Sequence, residues 1–341
     1  MKTKLINLRK EIKMNSTNKF LIPLLLVILT ALFITGCQKN AIEPNNMTDD
    51  EYVQSVVSGG YDNDYTNEDN IMMQEYNDLN EGGAVLDNES IPPANPYDSL
   101  YKWGRRISGV NRNYNITNEG DSLKNVVITT TFAGNFIIVG YQGGIKDTTV
   151  KPYTEVMKRN VIFRRVANSE YPRRNWRLYK VSILDGETTQ PQTGSSQVQI
   201  TKVEIYKNNS GTPSYVFNGP DFNSTLFITK LFGGTGIPQL DRNDIVKVKI
   251  YTTSQLAGTD YVAFHWSKNT YGFHRIPFTL ESQSGSGPYY RIYSKDFNIY
   301  GNHRIGAHNA YFSANTRESL YDDEVTKFAS DLVGIPFKVT K

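Results

Sequence analysis

Residues 245–252 read Ile245-Val246-Lys247-Val248-Lys249-Ile250-Tyr251-Thr252, and from Val246 to Ile250 apolar and charged residues alternate at every step. A period of two puts Val246, Val248 and Ile250 on one face of an extended chain and Lys247 and Lys249 on the other, which predicts a half-buried β-strand. Val262-Ala263-Phe264-His265-Trp266 repeats the pattern, with one apolar and one mixed face. Working outward, runs rich in β-branched and aromatic residues predict strands at 198–206, 224–232, 245–252, 261–266, 273–280, 289–294, 308–313 and 335–340. Clusters such as Asn218-Gly219-Pro220-Asp221 divide them. The chain therefore predicts an all-β fold.

About eight strands at this spacing resemble an immunoglobulin-like β-sandwich over residues 197–341. The chain has a single cysteine, so the resemblance is to the architecture and not to a disulfide-pinned antibody domain. Residues 186–196, rich in Gly, Pro, Gln, Ser and Thr, predict a boundary before it. Upstream, residues 101–185 predict a second, antiparallel β module with strands at 103–108, 113–117, 125–132, 135–141, 161–166 and 176–183. Asn118-Glu119-Gly120-Asp121, Ala133-Gly134 and Gly143-Gly144 read as its tight turns.

Charge divides the chain more sharply than hydropathy does. Residues 41–100 hold 14 acidic residues and no Lys or Arg; residues 101–180 hold 15 basic and 5 acidic; residues 181–341 hold 15 and 14. The first of these has the composition of a solvated tether, residues 37–100. Two short helices fit inside it. Thr48-Asp49-Asp50-Glu51 offers an N-cap and acidic first turn ahead of Tyr52, Val53, Val56 and Val57, and residues 71–79 carry a second apolar set. Asp62-Asn63-Asp64-Tyr65-Thr66-Asn67 begins like a calcium loop but has Asn67 where the turn needs glycine and Met73 where the last ligand belongs. Ile91-Pro92-Pro93-Ala94-Asn95-Pro96 ends the segment.

Lys2, Lys4, Arg9, Lys10, Lys13 and Lys19 precede an apolar run, 20–34, that is short for a spanning helix and right for a signal-peptide core. It leads into Ile34-Thr35-Gly36-Cys37, which resembles the lipobox of bacterial lipoproteins. That resemblance implies cleavage of residues 1–36 and a diacylated Cys37 at the new N-terminus. Met1 and Met14 are both compatible starts, since Met14-Asn15-Ser16-Thr17-Asn18-Lys19 already supplies a charged leader. The leader takes six basic and one acidic residue from totals of 37 and 34, leaving 31 and 33, so the formal +3 becomes −2. Whole-chain charge makes no case for nucleic-acid binding.

Motifs that carry chemistry are scarce. One cysteine excludes a disulfide scaffold, a zinc ribbon, a Cys-ligated iron–sulfur cluster and a CxxC pair. Neither a nucleophile elbow, a zincin helix nor a P-loop occurs. Gly233-Gly234-Thr235-Gly236 runs into Ile237-Pro238 and reads as a hairpin turn. His265, His274, His303 and His308 lack a recognised ligand spacing, and Asp322, Asp323 and Glu324 read as loop charge. No catalytic, cofactor or metal-binding residue is nominated. The arginines stand out: Arg105-Arg106, Arg164-Arg165 and Arg173-Arg174 with Arg177 lie near Trp103, Tyr171 and Trp176, an arrangement suited to phosphate, sulfate or carboxylate. Adjacent residues of a strand face opposite ways, so at most one of each strand pair joins a common patch.

These features predict a lipid-anchored binding or adhesion protein of the bacterial cell envelope, placed at the outer membrane. Its expected partners are the membrane through the anchor and an anionic polysaccharide, lipid headgroup or envelope protein, without nucleic acid or cofactor. An envelope polysaccharide hydrolase and an accessory subunit of an outer-membrane assembly are the alternatives. Either the acidic segment folds back on the basic module or that module meets an external polyanion.

Overall fold

Alternation sets most of what is built. The computed structural model describes residues 47–58, 97–269 and 272–341. The leader, Cys37, the candidate helix 71–79 and the rejected calcium loop lie outside them.

Helix α1 (Asp49–Val57) starts on a capping box: the Thr48 hydroxyl accepts from the Glu51 amide at 3.2 Å, and the Glu51 carboxylate accepts from the Thr48 amide at 2.7 Å. Its Tyr52, Val53 and Val56 are buried. β1 (Ser99–Glu119), β2 (Leu123–Gln142) and β3 (Ile145–Arg165) then form a long antiparallel ribbon. Helix α2 (Pro172–Asn175) leads to β4 (Trp176–Ser182) and β5 (Leu184–Gln190), and α3 (Gly194–Gln197) to β6 (Val198–Lys207). The remaining strands are β7 (Tyr215–Asn218), β8 (Leu226–Ile228), β9 (Gln239–Asp241), β10 (Ile245–Ser254), β11 (Tyr261–Asn269), β12 (Gly272–Pro277), β13 (Thr279–Ser284), β14 (Tyr289–Asn298), β15 (Gly306–Asn315) and β16 (Ser330–Thr340), with α4 (Arg317–Tyr321) before the last.

The described chain is mostly β, in two sheets that are antiparallel apart from one short parallel pair, β9–β16. The larger has eleven strands, in the order β1-β2-β3-β5-β16-β15-β11-β12, with β4 on β3, β8 on β4 and β9 on β16. The smaller runs β13-β14-β10-β6-β7. Residues 186–196, expected as a linker, contribute instead to β5, which pairs with β3 on one side and β16 on the other. The larger sheet is thus continuous across them. Gly186 serves close packing there, since a Cβ would lie 2.9 Å from the Met157 Cγ.

Two further differences have local causes. Ala133-Gly134 is not a turn but lies inside β2, where Ile107 pairs with Gly134, Gly109 with Ala133, and Ser108 is left as a bulge. A Cβ on Gly134 would sit 2.5 Å from the Arg106 carbonyl oxygen, so this glycine allows a close approach. β3 also extends through residues 145–160, where no strand was expected. Its buried face carries Lys151, Tyr153, Glu155, Met157 and Arg159, and three charges there hide the apolar period.

The sheets meet through Phe297 of β14, whose ring lies 5.0 Å from that of Phe264 on β11, itself 5.5 Å from Phe312 on β15. On its opposite face the larger sheet curls until its ends approach. Arg275 of β12 stacks 3.3 Å over the Trp103 ring of β1, and Trp103 packs against Phe136 and Tyr261. Arg105 is enclosed here, 3.4 Å from the Glu155 carboxylate. Lys151, also enclosed, donates to the carbonyls of Glu318 and Lys327 at 2.9 and 2.7 Å, and burial pushes its pKa down to about 8.

Candidate anion-binding face

The seven candidate arginines do not form one patch. Arg105 is in the core, bonded through Nη2 to Ser330 Oγ at 2.7 Å, and is therefore no surface anion site. Arg106 is exposed on the other face of β1, in the row of Asn135 and Pro152, twelve residues along β3 from Arg164, or roughly 40 Å. Arg165 points to the inward face, 5.9 Å from the Trp176 ring, and donates to Asn168 at 2.7 Å. Lys124 lies on that same face, 4.9 Å over Trp176, and its ammonium meets Asp50 of α1 at 2.5 Å and Asn118 at 2.7 Å. An acidic residue of the tether thus neutralises an inward cation. Arg174 covers Tyr171 at 4.7 Å, and the Arg173 carbonyl accepts from Arg177.

Arg164 and Arg177 are brought together. They are register partners across β3 and β4, which places them on one face with Cβ atoms about 5 Å apart. Beyond them the register slips: Phe163 pairs with Leu178 and Ile162 with Lys180, leaving Tyr179 as the bulged residue. The bulge returns Lys180 to the side of Arg164 and Arg177. Arg164 sits 5.6 Å from the Tyr179 ring and 5.7 Å from Phe232, and Lys180 is 5.0 Å from Tyr179. The two rings meet edge to face at 5.0 Å.

Phe232 arrives from a distant segment, and Thr229 fixes it there. The Thr229 amide donates to the Tyr179 carbonyl at 2.9 Å and its hydroxyl to the Leu178 carbonyl at 2.8 Å. A single 3-10 turn, Lys230–Phe232, follows, closed by Gly233 at φ 109°. Gly233-Gly234-Thr235-Gly236 is consequently not a hairpin turn, because β8 before it pairs with β4 while β9 after it pairs with β16. Phe232 and Lys180 were invisible as site residues, since fifty positions separate them and no local motif links them.

Among the described residues neither Arg164 nor Lys180 makes an ion pair. The carboxylate in the same row, Glu119, is two strands away from Arg164, across Leu123, or about 10 Å. Farther along this face the sign of the charge reverses. Asp185 is the register partner of Lys158, and Glu187 that of Asp331. Burial, reinforced by Glu187 and Asp221, raises the Asp185 carboxyl to about 7; Asp331, whose carboxylate accepts from the Ile200 amide at 2.6 Å, is raised well above the ordinary range by burial.

The histidines are used structurally where described: His265 bonds Ser313 Oγ at 2.7 Å in the core, and His308 stacks on Phe337. Among the described residues no group of three His, Cys, Asp or Glu is placed to hold a metal ion, and no helix is long and apolar enough to cross a membrane. No protein-family model, curated protein or solved structure matches this chain.

Proposed function

We propose that this chain is a lipid-anchored binding protein of the bacterial outer membrane whose Arg164–Arg177 face takes an anionic ligand. Opposed like charges on neighbouring strands repel and a guanidinium cannot shed its proton, so an anion bound beside Arg164 would relieve the pair, and neither Arg164 nor Lys180 makes an ion pair among the described residues. That pairing, flanked by Lys180 and the Tyr179 and Phe232 rings, is the observation that carries the reading. The anchor rests on Ile34-Thr35-Gly36-Cys37, with Cys37 as the acylated residue. An immunoglobulin-like module is supported by strand order: β6, β10, β14 and β13 correspond to strands A, B, E and D, and β11, β12, β15 and β16 to C, C′, F and G.

The test uses residues 37–341 with Cys37→Ala, against the same chain carrying Arg164→Glu and Lys180→Glu. The parent is expected to bind heparin or polyphosphate, with affinity falling steeply between about 50 and 200 mM salt as screening tightens. The double variant should bind at least about tenfold more weakly with unchanged thermal unfolding. Salt-insensitive binding, or equal binding by the two proteins, overturns the reading.

A further inference from the structure

We propose that the Arg164–Arg177 face docks on an anionic lipid surface, with Leu231 and Phe232 entering the headgroup–acyl boundary. The proposal rests on the anion-binding reading of this face and identifies the ligand as a membrane. Leu231 stands at the tip of the Lys230–Phe232 turn with 60% of its surface exposed, among the most exposed large apolar residues described. Phe232 lies beside it under Arg164, and the exposed Lys230 precedes it. Ile162 and Ile228 flank Lys180 in register, both half-buried. The face therefore combines cations with aliphatic and aromatic side chains at its edge.

That combination separates a membrane from a soluble polyanion. A sulfated or phosphorylated polymer offers charges to Arg164, Arg177, Lys180 and Lys230 but nothing apolar for Leu231. An anionic leaflet supplies both, with phosphates at the guanidinium forks and an acyl boundary for an exposed aliphatic tip. Long cationic side chains and Tyr179 reach the headgroup level while their stems stay with apolar neighbours. The turn is also preformed. Two Thr229 hydrogen bonds hold it to β4, and Gly233 and Gly234, at φ 109° and 61°, close it, so presenting Leu231 requires no ordering on contact.

The experiment is vesicle flotation of residues 37–341 with Cys37→Ala, so that no acyl chain contributes. Vesicles of phosphatidylcholine alone are compared with vesicles containing about 30% phosphatidylglycerol at about 100 mM salt. Binding is expected only to the anionic vesicles. Arg164→Glu with Lys180→Glu should lower it by roughly twenty-five-fold or more, at about fivefold per cation lost. Leu231→Ser, at an exposed position outside the cation–ring cluster, should lower vesicle binding about tenfold while leaving heparin binding intact. Leu231→Asn serves as a second variant if the serine change disturbs folding. Equal binding to the two vesicle types, or vesicle binding that ignores the Leu231 change, overturns the membrane proposal. If heparin binding persists in that case, the anion-binding reading stands; loss of heparin binding by the parent overturns both.

Discussion

The two ends of one sheet face carry crowded like charges and relieve them differently. At the end beneath the second sheet, Asp185, Glu187 and Asp331 lie on adjoining strands, and burial raises Asp185 to about 7 and Asp331 well above its ordinary value. Carboxyls can answer repulsion and desolvation by holding a proton. At the open end Arg164 faces Arg177, and this route is closed to arginine. One end can answer its crowding by holding a proton, while the other keeps two permanent cations facing each other. The difference teaches that a count of charges says less about binding than which charges can be neutralised within the fold.

The largest expected effect probes the acidic end. Asp185 holds its proton to about pH 7 when folded but only to the ordinary carboxylate range when unfolded. Its contribution is therefore complete below about pH 4, is lost as pH rises through about 7, and is constant above that. Asp185→Asn removes the slope. The variant should match the parent near pH 4 and exceed it at pH 8 by up to a few kcal/mol, since each tenfold change in proton affinity between the folded and unfolded chain is worth about 1.4 kcal/mol. Urea unfolding at each pH measures it. A stability difference that does not change with pH would show that the acidic end is not relieved by protonation.

Part of this arrangement was legible in the sequence. Thr48 and Glu51 announced the cap of α1, Gly143-Gly144 announced a real turn, and alternation at 246–250 placed β10. Adjacent arginines also separate as a strand requires, with Arg164 outward and Arg165 inward. The failures share a cause in packing between distant segments. Gly134 and Gly186 read as punctuation, yet both sit inside strands because a neighbour comes too close for a side chain. β3 was half missed because Lys151, Glu155 and Arg159 occupy its buried face. The candidate anion-binding face itself depends on a bulge at Tyr179 and on a turn some fifty residues later, and neither leaves a local signature.

A smaller effect tests the basic end without reversing charge. Arg164→Gln removes one of the opposed cations while keeping a polar side chain over Tyr179 and Phe232. Without ligand the melting temperature should hold or rise slightly, within about 0.5 kcal/mol, because like charges directly opposite are destabilising. With polyphosphate present, the parent should gain thermal stability by mass action and the variant should gain distinctly less. Equal gains would mean that the polymer binds elsewhere.

The smallest effect concerns Lys124, a cation one residue from the row of Arg164 in strand pairing and therefore on the inward face. It is buried, yet its partner Asp50 remains about half exposed at 54%, so the pair is expected to contribute no more than about 1 kcal/mol. Asp50→Asn keeps an oxygen acceptor for the ammonium and removes only the charge. The capping box of α1 is untouched, because it uses Thr48 and Glu51. Unfolding should therefore become easier by about 0.5 to 1 kcal/mol at low salt, with the loss fading toward about 1 M salt as screening replaces the carboxylate. Polyanion affinity should stay unchanged, since Lys124 lies under α1 and across the sheet from Arg164. A severalfold rise in that affinity would mean that the acidic helix, rather than the facing of the cations, governs how much positive charge the ribbon shows. The contrast between a face neutralised from within and one left open would then fail.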